Sequence, residues 1–200
     1  MISLSIKTDF KNVQQSLDRL STDLQKRVVP AALNKVIAKA KTEMKQQITS
    51  EFNLKSSEVA DRLRIIKAGR ELAKWVAVLD PFASKKRGRS LNVIHFLENK
   101  TTLSQAKKRG KAGTLNQLHF QIKRVGGQKL ISGAFIGKKG RTVFVRTSGD
   151  RLPIKALSTI DVPQMFKTKR IQSKVLARIE KEMQVEFDRA IAAALSGAMR

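Results

Sequence analysis

The sequence predicts an α+β fold, and three patterns carry that prediction. Apolar residues recur at spacings of three and four through the first 69 residues, alternation takes over near Leu118, and a four-residue recurrence runs from Ile171 to Leu195. The expected architecture is a set of N-terminal helices, a central antiparallel β-meander or curved sheet carrying a long basic loop, and a long C-terminal amphipathic helix. With 200 residues and 41% hydrophobic content, one domain spanning 1–200 is expected, divided into a helical region 1–69, a β region 70–160 and a C-terminal helix 161–200.

Taken in order, Phe10, Val13, Leu17, Leu20 and Leu24 fall on one stripe of a helix, with Asp9 placed to cap it. Pro30 interrupts that run and predicts a kink or a fresh helix start. Leu33, Val36, Ile37, Ala40, Met44 and Ile48 continue in helical spacing. Ser56-Ser57-Glu58-Val59 then opens a shorter helix through Ala60, Leu63 and Ile66, ending near Gly69. Leu72 to Leu79, closed by Asp80-Pro81, reads as a strand, and Val93 to Leu97 as a second, buried strand. Between and after them, residues 85–89 and the glycine-containing stretch 98–116 lack hydrophobic periodicity, and the latter is expected to be a long mobile loop.

Leu118, Phe120 and Ile122 alternate with His119, Gln121 and Lys123, as a strand with one buried face requires. Gly126-Gly127 suits a tight hairpin turn, followed by a return strand from Leu130 to Ile136. A second turn at residues 137–140 leads to a strand from Thr142 to Arg146. After Pro163, Ile171, Val175, Ile179, Met183, Phe187, Ile191 and Leu195 mark the apolar side of the last helix, supported by Leu176, Ala190 and Ala194. Glu180, Glu182 and Glu186, mixed with Arg178 and Lys181, read as its charged solvent face.

Charge is the strongest compositional signal: 41 Lys and Arg against 16 Asp and Glu, a net +25. Its distribution is uneven. Residues 84–151 hold 17 basic and 2 acidic side chains, whereas 1–83 hold 15 and 9 and 152–200 hold 9 and 5. Such a concentration suits a polyanionic neighbour, through counterion release and without sequence readout. Lys85, Lys86, Arg87, Arg89, Lys107, Lys108, Arg109 and Lys111 are the residues expected to face DNA or an acidic partner. Aromatics are 5% of the chain and Tyr is absent, so stacking on unpaired bases is a poor fit and contact with duplex backbone a better one. The sole Trp75 lies in an apolar run and is expected in the core.

The absence of cysteine removes disulfides and cysteine-based zinc sites, so the fold must rest on packing, and no metal or other cofactor is expected. The first residues, Met1-Ile2-Ser3-Leu4, lack a basic leader before an apolar run, and no stretch of about 18 apolar residues exists to span a bilayer. Synthesis in a cytoplasm without a membrane span is therefore expected. No HExxH, GxSxG, Walker A or dinucleotide fingerprint occurs, and His95 and His119 are read as ordinary strand histidines. The chain is therefore expected not to be an enzyme. Gly126-Gly127-Gln128 is similar to the triplet with which peptide release factors act on the ribosome, a remote alternative in which Gln128 would be essential. The glycines sit at the expected hairpin, which favours a turn.

The order of short motifs over residues 130–166 is informative: Gly133-Ala134-Phe135-Ile136, then Arg146, then Arg151-Leu152-Pro153-Ile154, then Val162-Pro163-Gln164-Met165-Phe166. Together with Val29-Pro30-Ala31-Ala32-Leu33-Asn34-Lys35, this order resembles the prophage minor tail protein Z family. The resemblance implies a non-enzymatic virion protein at the head-proximal end of a long non-contractile tail. It would complete the tail, join it to the head and help place the genome DNA. It implies as partners further copies in a ring, the tail terminator, the tail tube, the tape measure and nearby DNA. The helices are less basic than the middle of the chain, which leaves open the surface that faces DNA. The motif residues also have plain structural readings: close packing at Gly133 and Ala134, core filling by Phe135, carboxylate bridging by Arg146 and Arg151, and an edge or starting position for Pro153. A free, duplex-binding basic protein is the alternative function.

Overall fold

The computed structural model describes residues 4–6, 17–18, 20–71, 75–82, 90–97, 117–137 and 141–197. The expected cap Asp9, with Phe10 and Val13, lies outside them, as do Leu72, residues 85–89 and the loop 98–116. The strand β1 (Leu4–Ile6) was not anticipated. The first helical stripe is broken at Leu20. Ser21 adopts an extended backbone and accepts a hydrogen bond from Leu24 N, so α1 runs from Thr22 to Glu51. Gln25 secures the break by donating to the carbonyls of Leu17 and Leu20 at 2.9 and 3.1 Å.

Pro30 lies inside α1, without the fresh start its position suggested. A proline there forfeits one helical hydrogen bond, at about 3 kcal/mol. Val28, Val29, Ala32 and Leu33 around it are all 0% exposed, and their burial offsets that loss. Val36, Ile37, Ala40, Met44 and Ile48 extend the buried stripe as the spacing predicts.

The next helix, α2, is only Ser56–Ala60, and Leu63–Ile66 forms the strand β2 rather than a continuation. Leu63 and Ile65 also alternate, and pairing with β3 (Ala77–Pro81) settles the ambiguity: Ile65 lies opposite Leu79, and Arg64 opposite Asp80, to which it is ion-paired. β1 pairs with the other edge of β3, giving the order β1-β3-β2. Trp75 precedes β3, half-buried against the main core, and its buried Nε1 has no hydrogen-bond partner.

Val93–Phe96 is a 3-10 helix and not a strand. A strand would send Ile94 and Leu97 to opposite faces. The three-residue turn sends both into one small core while Phe96 enters the main one. Asn92 holds it in place: its Oδ1 accepts from Ile94 N (3.0 Å) and Val143 N (2.9 Å), and its Nδ2 donates to Leu157 O (2.7 Å).

Strand β4 (Gln117–Phe120) pairs antiparallel with β5 (Lys129–Ser132), Phe120 opposite Lys129. Their connection is the stretch 121–128 and not a tight turn at Gly126-Gly127; among the described glycines only Gly133 and Gly197 have positive φ. The reason is long-range: Ile122 O accepts from Asn53 N and Arg124 N donates to Glu51 O, which draws the chain toward the end of α1. The expected single return strand is split at Gly133 (φ 70°) into β5 and β6 (Ala134–Gly137). β6 pairs with β7 (Thr142–Arg146), and β7 with the edge strand β8 (Ile154–Ala156), which Pro153 directly precedes as expected.

Asp161 and Gln164 cap each other reciprocally to open α3 (Val162–Phe166), with Pro163 in its first turn, and α4 follows over Lys169–Leu195. Ile171, Val175, Ile179, Met183, Phe187, Ala190 and Ala194 are buried, but Leu176 and Leu195 are exposed. Helices α1 and α4 run antiparallel, since Lys35 meets Glu186 while Glu51 meets Arg170. Their seam is the main core, to which β2, β3 and α3 add. A second cluster of Ile94, Leu97, Ala134, Ile136 and Val143 lies under β6 and β7, and Phe120 packs against both. The fold is α+β, with small antiparallel sheets beside a helical layer rather than one continuous meander.

Candidate nucleic-acid and partner interface

Three arrangements bring polar groups together. The first is a cleft of about 910 Å³ where the end of α1, the segment leading into α2, the 3-10 helix and the 121–128 connection meet. Thr49, Asn53, Lys55, Ser56, His95, Gln121 and Arg124 line it, with Leu54 and Leu97. Arg124 Nε donates to Thr49 O at 2.6 Å, which fixes the guanidinium at the rim. His95 Nδ1 lies 2.8 Å from Glu58 Oε1, and the carboxylate accepts, so the imidazole carries a proton on Nδ1. Glu58 also accepts from Lys55 N at 3.4 Å. His95 thus belongs to a hydrogen-bonded pair on a 3-10 helix, whereas His119 is an exposed residue of β4.

The second arrangement lies between the long helices. Lys39 donates to Glu182 and, at 2.6 Å, to Glu186, while Arg178 and Arg189 reach the same carboxylates from α4 at 2.8 and 2.7 Å. The hydrogen bond from Lys39 is the largest cause holding both carboxyls below their ordinary range, against the opposing effect of burial. Its bond to Glu182, with that to Glu186, raises Lys39 itself. Glu182 and Glu186 are therefore buried helix-pairing groups and not part of a solvated face; Glu180 is exposed. A signal existed, because Glu186 stands three residues after Met183 and four before Ala190, inside the apolar stripe.

The third arrangement gathers the motif residues on β6, β7 and β8. Gly133 owes its place to positive φ and not to crowding, since a side-chain carbon added there would meet nothing within 4 Å. Ala134 is fully buried. Phe135 does not fill the core: it stacks on Phe144 directly across the ladder, ring centroids 6.0 Å apart, with the Arg146 guanidinium 4.9 Å above its ring. Arg146 donates to Arg151 O at 2.7 Å, so its partners are a ring and a carbonyl rather than a carboxylate. Arg151 and Leu152 are exposed, and Pro153, after a cis bond, directly precedes the edge strand β8 with Ile154 at its start. Pro163 sits in the buried opening turn of α3.

Lys85, Lys86, Arg87, Arg89, Lys107, Lys108, Arg109 and Lys111 lie outside the described residues. Gln128 is on the exposed connection between β4 and β5. Among the described residues no three metal-ligating side chains converge, and no helix is long and apolar enough to cross a membrane. Comparison with curated proteins and with solved structures returns no match. A family model, described as prophage minor tail protein Z, matches residues 9–196, a span that takes in both long helices, the cleft and all of the β6–β8 motif residues. The chain therefore belongs to the prophage minor tail protein Z family.

Proposed function

We propose that this chain is a structural tail-completion protein acting at the head-proximal end of a long non-contractile tail, where it joins tail to head and helps to place the genome DNA. The observation that carries this reading is the family match across residues 9–196. The acid-poor, basic stretch 84–151 supports it, because a channel that carries DNA favours positive charge on its wall. A ring of copies would supply that channel, and closed rings require head-to-tail contacts between different faces of the subunit. The edge strands β5 and β8, with exposed Leu130, Leu152 and Ile154, offer surface for such contacts. In this reading the chain folds as one domain, resides in the virion, contacts tail terminator, tail tube and tape measure, and turns over no substrate.

Deleting the gene and imaging the lysate by negative-stain electron microscopy tests the role. Tails and heads that fail to join, or joined particles that do not infect, are the expected outcome; normal infectious phage would end the proposal. The net charge of +25 favours one other reading, a free duplex-binding protein. That protein would be absent from purified virions, which immunoblotting of banded particles decides.

A further inference from the structure

We propose that the cleft between the end of α1, the 3-10 helix and the 121–128 connection is a phosphate site that seats the backbone of duplex DNA. The inference rests on the tail-protein reading for the identity of the polyanion, and on the cleft itself for the chemistry.

Its volume of about 910 Å³ falls in the range of roughly 300–1,000 Å³ typical of ligand sites. The lining is mixed, polar and apolar in about equal parts: Lys55 and Arg124 supply permanent positive charge, Asn53, Ser56 and Gln121 neutral hydrogen-bonding groups, and Leu54 and Leu97 apolar surface. No carboxylate is among the lining residues. Of the described carboxylates nearest along the chain, Glu51 is held by Arg170 at 3.1 Å, and Glu58 lies behind the wall, bonded to the lining residues His95 at 2.8 Å and Lys55 N at 3.4 Å; Glu98, next to the lining residue Leu97, is outside the described residues. Neither Lys55 nor Arg124 has a carboxylate partner among the described residues, and both are exposed.

A second observation is independent of the cavity. The wall formed by residues 121–124 comes from a stretch, 99–149, that contains no Asp or Glu at all. Two exposed cations with no carboxylate partner among the described residues, set in one concave site beside Asn53, Ser56 and Gln121 and backed by a segment without acids, select an anion with several acceptor oxygens. No Phe or Trp among the described residues lines the cleft, so it lacks a platform for unpaired bases and suits backbone phosphates of a duplex.

The test is fluorescence anisotropy of the full chain with a labelled duplex of about 20 base pairs across ~50–200 mM salt. Each phosphate contact contributes about 0.9 to the slope of log affinity against log salt. The double variant Lys55→Gln/Arg124→Gln should therefore flatten the slope by about 1.8. Lys174→Gln/Lys181→Gln, the same charge loss on exposed positions of α4, should leave it unchanged. Ser56→Glu keeps both cations but adds a carboxylate at the cleft, and should weaken low-salt binding at least about tenfold. Circular dichroism confirms that each variant is folded. Equal slopes for the two double variants, no detectable duplex binding, or displacement of a bound glutamate oligopeptide that depends on Lys55 and Arg124 while duplex binding does not, would each overturn the proposal. Such results leave the lysate microscopy untouched. Normal phage without the gene would instead sink the tail reading while the slopes still report on the cleft.

Discussion

Replacing Asn92 is the sharpest probe of how the β region is held. In Asn92→Ala, Val143 N and Ile94 N lose the oxygen that accepts from them at 2.9 and 3.0 Å. The opposing carbonyls suffer less: Leu157 O retains Val93 N at 3.1 Å, and Val143 O retains Leu157 N at 2.9 Å. Val143 is 0% exposed and Ile94 5%, so water is a poor substitute. An unsatisfied buried donor costs about 1–3 kcal/mol, and two of them imply a loss of about 2–6 kcal/mol. Asn92→Asp separates the hydrogen-bond account from simple loss of packing. Aspartate preserves both acceptances, but it places a carboxylate oxygen where the amide now donates to Leu157 O at 2.7 Å. It should therefore fail to rescue stability at neutral pH. Equilibrium urea denaturation measures both variants, with the midpoint shift read at constant m. An alanine variant within about 0.5 kcal/mol of the parent, or an aspartate variant as stable as the parent, would refute the assignment.

The remaining predictions concern the helix seam and the motif strands. Glu182 and Glu186 titrate below their ordinary 4.5 in the folded chain, so their contribution is fully present above that value and is lost as pH falls through the folded value. Lys39 is raised above 10.5, so its share persists below 10.5 and is lost at higher pH; Lys39→Met should flatten the acid limb of melting temperature against pH, and an unchanged limb would contradict the network. Phe187→Ala, at a fully buried position, should cost about 3–5 kcal/mol in chemical denaturation. Leu195→Ala, at a position 68% exposed, should stay within about 0.5 kcal/mol, and similar losses for the two would contradict the observed seam. Gly133→Ala, forced to φ 70° in open space, should cost about 1–2 kcal/mol, with Gly133→Asn recovering part of it. Gly137→Ala meets Phe144 at 3.0 Å and should cost about 1–3 kcal/mol by displacing the ring from Phe135, measured by the same denaturation assay.

The motifs of residues 130–166 were legible as an ordered set, and the family match across 9–196 bears out the resemblance they carried. Their physical roles were less legible. Phe135 is apolar, yet β-strand alternation with the buried Ala134 and Ile136 sends it to the other face, where Phe144 and Arg146 cover it. The cleft was invisible in one dimension, since Lys55, His95 and Arg124 come from three separate segments.

What the sequence by itself determined is the long C-terminal helix, the helical stripe from Leu33 to Ile48, the antiparallel pairing of the middle strands, the basic excess of 84–151 and the α+β class. Each is encoded in residue order or composition, because side-chain period decides which face is buried and charge simply adds. Tertiary structure alone decided where helices stop and what polar groups do. Leu63 to Ile66 became a strand because β3 was there to pair with, and residues 121–124 left a hairpin path because Glu51 and Asn53 offered backbone partners. Glu182 faces inward because Lys39, 143 residues away, neutralises it. Local period sets the energy of a segment against water, whereas these outcomes depend on hydrogen bonds and charges supplied by distant chain, which no window of neighbouring residues contains.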